Sequence, residues 1–138
     1  MAAVKLVDFK WILICISRSL NCEVYRFLEK VETLIVKVQS KRKKLLLCGH
    51  WNANFLWDSV QLQVLHCLLL SYNFNNTVAL PARVTKNISS LIDVMIINKQ
   101  YNHNSIGVLH LGYSDHFAQI LYFLTKLYNK KNYTKKFF

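Results

Sequence analysis

The sequence predicts a layered arrangement of helices against a sheet, of the α/β or α+β kind. Three observations carry this expectation. The apolar, β-branched stretch "WILICIS" (11–17) has the pattern of a buried strand. The next segment, 21–41, changes period: Val24, Phe27, Leu28, Val31, Leu34, Ile35 and Val38 recur at three and four and form one face of an amphipathic helix. The same alternation then returns, with "LLLC" (45–48), a helical stretch at 58–72, and mostly strand-like runs after it.

Each element has local support. Asn21 is placed to cap the first helix. Glu23, Glu29 and Glu32 lie mostly toward its start and Lys37 and Lys41 at its end, which complements the helix dipole. The run "KRKK" (41–44) reads as a solvated helix end feeding a strand. That strand, 45–48, ends at Gly49. "DSVQLQVLHCLLLSY" (58–72) takes Asp58 or Ser59 as its cap, and His66 inside it reads as a packed helix residue. "NNTVAL" (75–80) reads as a turn and a short strand broken by Pro81. "SSLIDVMIIN" (89–98) reads as a strand with one carboxylate, Asp93, embedded in it. Such a charge is costly unless it is paired or faces solvent at a strand end. Further strands are expected at 105–111 and 116–124. The segment 126–138 reads as a tail that carries five lysines among aromatic residues. Neither an internal repeat nor a linker divides the chain.

The length of 138 residues suits one domain, and 53% hydrophobic against 18% charged residues argues against disorder over most of it. One proline and three glycines are few for an enzyme with many tight turns. They suit a helix-rich fold or a piece of something larger. Eighteen Lys and Arg against seven Asp and Glu give a formal charge of +11. That balance favours a polyanion, either nucleic acid or an acidic membrane surface, or else describes a basic surface with no specific ligand. Cysteines at 15, 22, 48 and 67 form no C-x-x-C pair and read as free thiols in a reducing compartment. The apolar stretch 11–16 is short and Arg18 closes it, so neither a signal peptide nor a membrane span is expected. The expected setting is intracellular, nuclear or cytoplasmic.

Four short motifs fall at strand ends or loops: Gly49-His50-Trp51-Asn52, Pro81-Ala82-Arg83, Leu91-Ile92-Asp93 and Ser114-Asp115-His116. Each is weak alone. In this order and spacing they resemble the endonuclease/exonuclease/phosphatase superfamily, the fold of exonuclease III and deoxyribonuclease I. The likeness is strongest to the endonuclease domains of non-LTR (LINE-like) retrotransposons. It is carried by "ISRSL" (16–20), "FLEKVETLIVKVQSKRKKLLLCGHWNANFL" (27–56), "LLLSYNFNNTVALPARVTKNISSLIDVMIIN" (68–98) and "SDHFAQI" (114–120), and extends over about residues 11–125. The resemblance implies an α/β fold that forms the C-terminal half of a four-layered sandwich. The other half, which normally supplies an early asparagine and a metal-binding glutamate, has no counterpart here and would be a partner.

Enzymes of this family hydrolyse phosphodiesters with a divalent metal, usually Mg2+, held by hard oxygen ligands. By resemblance, Asp115 would be a metal-side carboxylate and His116 would contact the scissile phosphate as an imidazole. Asp93 would hydrogen-bond His116 and favour its cationic form. Asn52 would contact the phosphate or position the nucleophile. Arg83 would lie near the DNA. Apart from the resemblance, the charge of the run Lys41, Arg42, Lys43 and Lys44 suits contacts to phosphates. The chain departs from the family at three places. His50 stands where the family has an aspartate that orients or deprotonates the attacking water. Ser17 replaces a tyrosine, and Ala82 replaces the threonine of Pro-Thr-Arg. A neutral histidine cannot offer negative charge to a water near a metal, and a protonated one opposes the cation.

The resulting expectation is a degenerate, truncated endonuclease domain whose ancestral act was metal-dependent DNA nicking. An alternative is a basic remnant that binds nucleic acid without catalysis. A third reading gathers Cys48, His50 and His116 into a site for a softer metal such as zinc. A fourth is a product without function, poorly folded because half a sandwich exposes the face its other half would cover.

Overall fold

The computed structural model describes residues 2–6, 11–38, 44–98 and 104–123. Its strands are β1 (Ala2–Leu6), β2 (Trp11–Cys15), β3 (Lys44–His50), β4 (Asn75–Asn76), β5 (Arg83–Val84), β6 (Ser89–Ser90), β7 (Asp93–Ile97), β8 (Asn104–Leu109) and β9 (Ala118–Phe123). Its helices are α1 (Val24–Val38) and α2 (Val60–Ser71). Five strands form the main sheet in the order β1-β2-β3-β7-β4. β2 and β3 run parallel, as a strand–helix–strand crossover requires, and the other pairs are antiparallel. β5 and β6 form a small ladder, and β8 and β9 a hairpin.

The period of two sorts the sheet's side chains onto two faces. Ile12, Ile14, Leu45, Leu47, Val94 and Ile96 pack against Phe27, Leu28, Val31 and Ile35 of α1 and Leu62, Leu65 and Leu69 of α2. This is the main core, and the apolar stripe of each helix meets it. The opposite face carries Trp11, Leu46 and Ile97, with Leu13, Met95 and Leu121 of β9 against them. A third cluster, Val78, Ala82 and Leu91, joins Ile106 and Val108 of β8 to the sheet through Met95. The β8–β9 hairpin thus lies on the face away from the helices.

Several boundaries differ from the sequence expectation. The cap of α1 is Glu23 and not Asn21: the Glu23 carboxylate accepts from the amides of Tyr25 and Arg26 at 2.9 and 2.8 Å. Those bonds hold the Glu23 carboxyl below its usual range. For α2 the cap is Ser59, whose Oγ accepts from the Leu62 amide at 3.2 Å. The strand expected to end at Gly49 continues through His50. The single strand expected at 89–98 is two, β6 and β7. Between them the Leu91 amide donates to Asn54 Oδ1 and the Ile92 carbonyl accepts from the Trp51 amide, so neither serves a ladder. The strand expected at 75–80 is only two residues long, and β1 lies where no element was assigned. Lys41, Arg42, Lys43 and the tail 126–138 lie outside the described residues.

Among the described residues, no helix is long and apolar enough to cross a membrane.

Candidate active site

The site forms where β3 and β7 end side by side. Their register pairs His50 directly with Asp93. Counting by twos from Leu46 through Cys48 places His50 on the face opposite the helices, as Ile97 and Met95 place Asp93. Both side chains therefore project from one corner of that face.

Gly49 makes this corner possible. The chain after β2 keeps following β3, with the Ile16 amide donating to the Cys48 carbonyl and the Arg18 amide to the His50 carbonyl, both at 2.8 Å. At Gly49 the Ile16 backbone lies where a Cβ would be, and φ is +127°, a conformation that L side chains rarely adopt.

Beyond His50 the chain turns inward. Trp51 is fully buried, edge-on to Phe27 at 5.5 Å between ring centroids. Asn52 then takes the left-handed conformation, with φ 51°. Arg18, only 8% exposed, locks this turn. Its guanidinium donates to three main-chain carbonyls: Nε to Trp51 at 2.8 Å, Nη1 to Cys22 at 2.8 Å and Nη2 to Asn52 at 2.5 Å. In return Asn52 Nδ2 donates to the Arg18 carbonyl at 2.6 Å.

His116 arrives from the other end of the chain. The segment around it pairs with β5: the Val84 amide donates to the Asp115 carbonyl and the Phe117 amide to the Ala82 carbonyl. The His116 amide donates to Ser114 Oγ, closing the turn of the Ser-Asp-His motif. Gln119 Nε2 donates to the Asp93 carbonyl at 2.7 Å and ties β9 to β7.

The result is one carboxylate between two imidazoles. Asp93 Oδ1 lies 2.8 Å from His50 Nδ1, and Oδ2 lies 2.6 Å from His116 Nδ1. The rings are 5.4 Å apart. His50 Nε2 lies 2.8 Å from Asn52 Oδ1. The three acid and imidazole side chains are 24–36% exposed, so solvent reaches them. One possible ligand atom from each of His50, Asp93 and His116 lies within 4.8 Å of the others.

The structure therefore brings His50, Asn52, Asp93 and His116 together. Asp115 is turned to a different partner: its Oδ2 accepts from Arg83 Nε at 2.6 Å, and it is not in the cluster. The hydrogen bond from Arg83 holds the Asp115 carboxyl below its usual range. Arg83 thus serves Asp115 first. Lys44 opens β3 with its Nζ 5.6 Å from the Trp11 ring centroid, toward the far end of the strand from His50. Cys48 is not in the cluster; it lies two positions back from His50 along β3, with Cys15 opposite it on β2. Burial, with Cys15 beside it, pushes the Cys48 thiol up to about 11. Arg18 is the residue that sequence reasoning missed. The available signal was an arginine directly after a buried strand, where its charge must find several acceptors.

The sheet order and the layers around it define the fold. The chain has the fold of the endonuclease/exonuclease/phosphatase proteins. It superposes on the endonuclease domain of TRAS1, a telomere-specific non-LTR retrotransposon, with a TM-score of 0.70 and 17% identity, covering 86% of this chain and 60% of that one. An endonuclease/exonuclease/phosphatase family protein from Leptotrichia buccalis C-1013-b gives a TM-score of 0.59 at 16% identity, over 82% of this chain and 49% of that one. The chain thus spans about half of the length of the structures it resembles. Neither a protein-family model nor a curated protein sequence matches it.

Proposed function

We propose that this chain is a degenerate endonuclease domain of retrotransposon origin that binds DNA without nicking it. The observation that carries this reading is the sharing of Asp93. An imidazole that stabilises phosphate charge needs a carboxylate behind it. Here His50 takes one oxygen of that carboxylate and His116 the other. His50 also occupies the place where a water-orienting carboxylate would be needed, and it supplies no negative charge there.

The donor set does not fit magnesium. Mg2+ demands oxygen ligands in near-octahedral array. Among the described residues the one cluster of three candidate ligands has two imidazoles and a single carboxylate. Asp115, the other acid near the site, is engaged by Arg83. No hydrolytic step through magnesium follows from this arrangement.

Binding rests on charge. A formal charge of +11 on 138 residues attracts phosphates through counterion release, independently of any metal. The test is a plasmid-nicking assay in magnesium beside a salt titration of duplex binding. The unaltered chain, His50→Asp and His116→Ala are compared. No variant should nick, and binding should fall steeply with salt, need no magnesium and survive His116→Ala. Magnesium-dependent nicking by the unaltered chain, lost in His116→Ala, overturns the reading.

A further inference from the structure

One contact in the cluster cannot be satisfied by a neutral imidazole alone. The Asn52 carboxamide is oriented by its Nδ2 group, which donates to the Arg18 carbonyl. Its Oδ1 therefore faces His50 Nε2, at 2.8 Å. An amide oxygen only accepts, so Nε2 carries the proton. Nδ1 of a neutral His50 is then a bare lone pair, and it faces a carboxylate oxygen of Asp93 at 2.8 Å. Two lone pairs at that distance repel unless something positive lies between them. A second proton on His50 would do this, and so would a metal ion.

We propose that His50, Asp93 and His116 form a binding site for a divalent metal of the zinc type. Two neutral imidazoles and one carboxylate are a familiar donor set for Zn2+, with solvent completing the tetrahedron. Imidazole suits zinc, nickel and copper and is a poor choice for magnesium. The ligand atoms are already within 4.8 Å of one another. Tetrahedral ligands at about 2.0–2.1 Å from zinc stand roughly 3.3 Å apart. The present separations of 2.8 and 2.6 Å run to different oxygens of Asp93, so the carboxylate and the two rings must shift to bring one oxygen and both imidazoles onto a single ion. The shell around the site is also of the right kind. A metal-bound histidine donates its other ring N–H to a fixed acceptor, which sets the tautomer. For His50 that acceptor is Asn52 Oδ1, itself held by Arg18. The proposal goes beyond DNA binding and does not depend on it.

The test is titration calorimetry of the whole chain with Zn2+, paired with the visible spectrum of the Co2+ form. The expected result is one ion per chain, a dissociation constant on the order of micromolar or tighter, and no displacement by excess Mg2+. His50→Ala and His116→Ala should each weaken binding at least about tenfold. Asn52→Gly, which keeps the left-handed backbone, should weaken it by about tenfold. His66→Ala, His110→Ala and Cys48→Ser should bind as the unaltered chain does. If the His50 or His116 variant fails to fold, imidazole 15N shifts of the unaltered chain decide, because zinc should move the ring nitrogens of His50 and His116 and leave those of His66 and His110 in place. Absence of saturable zinc binding overturns the proposal. So does binding that survives both ligand variants, yields to magnesium, or is lost in Cys48→Ser.

Discussion

Replacing Arg18 by lysine keeps the charge and removes the fork. The guanidinium reaches the carbonyls of Trp51, Cys22 and Asn52 from three different nitrogens, and the residue is only 8% exposed. A lysine ammonium is a point donor on a flexible stem and cannot span three acceptors set around a planar group. It keeps one of these bonds at most. Hydrogen bonds to a charged group contribute about 1.5–3 kcal/mol each, so losing two costs roughly 3–6 kcal/mol. Whole domains are stable by only about 5–15 kcal/mol. In urea, with a slope of about 2 kcal/mol/M, a loss of 4 kcal/mol lowers the midpoint by about 2 M. Equilibrium unfolding followed by circular dichroism measures this directly. The Asn52 side-chain amide resonances should shift as well, since that carboxamide rests on the Arg18 carbonyl. A midpoint within about 0.3 M of the unaltered chain, with Asn52 unmoved, would refute the assignment of Arg18 as the lock of the site.

Two further expectations follow from the same corner of the sheet. Gly49→Ala should cost about 3 kcal/mol or more in thermal unfolding, combining a backbone conformation reserved for glycine with a Cβ driven into the Ile16 backbone. Gly107→Ala, whose Cβ would meet nothing within 4 Å, should stay within about 0.5 kcal/mol and serves as the control. Cys48 should resist alkylation at pH 8 while exposed Cys67 reacts, because burial keeps its thiol protonated up to about 11. Its rate should climb with pH through that value. The sign for stability follows: a thiol whose folded value is raised contributes fully below the unfolded value, and that contribution is lost as pH rises toward 11.

The parts of the fold that were legible in the sequence are those with a sustained period. Trp11 to Ile16 and Leu45 to Cys48 read as buried strands, and α1 and α2 as helices, because packing against one sheet face imposes those periods over many residues. The two-residue ladder of Arg83–Val84 with Ser89–Ser90 was not legible, because two residues have no period. Nor was the break at Leu91 and Ile92, where apolar residues continue on both sides. It is made by bonds to Asn54 and Trp51, some forty positions earlier. At the site, residue types marked Asp93 as needing a partner. They did not show that it would have two, since the second depends on register: His50 and Asp93 face each other only because β3 and β7 pair as they do. Cys48 and Asp115 were equally plausible ligands by type. Cys48 stands two positions back from His50 with Cys15 opposite it, and Arg83 holds Asp115, a local competition that leaves no trace in sequence.

The sheet order has a consequence for the chain as it is made. β3 lies between β2, already synthesised, and β7, whose Asp93 follows His50 by 43 positions. At about 5–20 residues per second, the edge of Leu45–Leu46–Leu47 that pairs with Ile96 and Ile97 stays bare for roughly two to ten seconds on the ribosome. During that interval α1 can already dock on one face of β2 and β3, whereas the corner that holds His50 has nothing opposite it. The metal-ligand cluster is therefore a late product of translation. It is complete only once His116 has emerged, so a nascent chain stalled between β7 and His116 would carry the main core and no complete site.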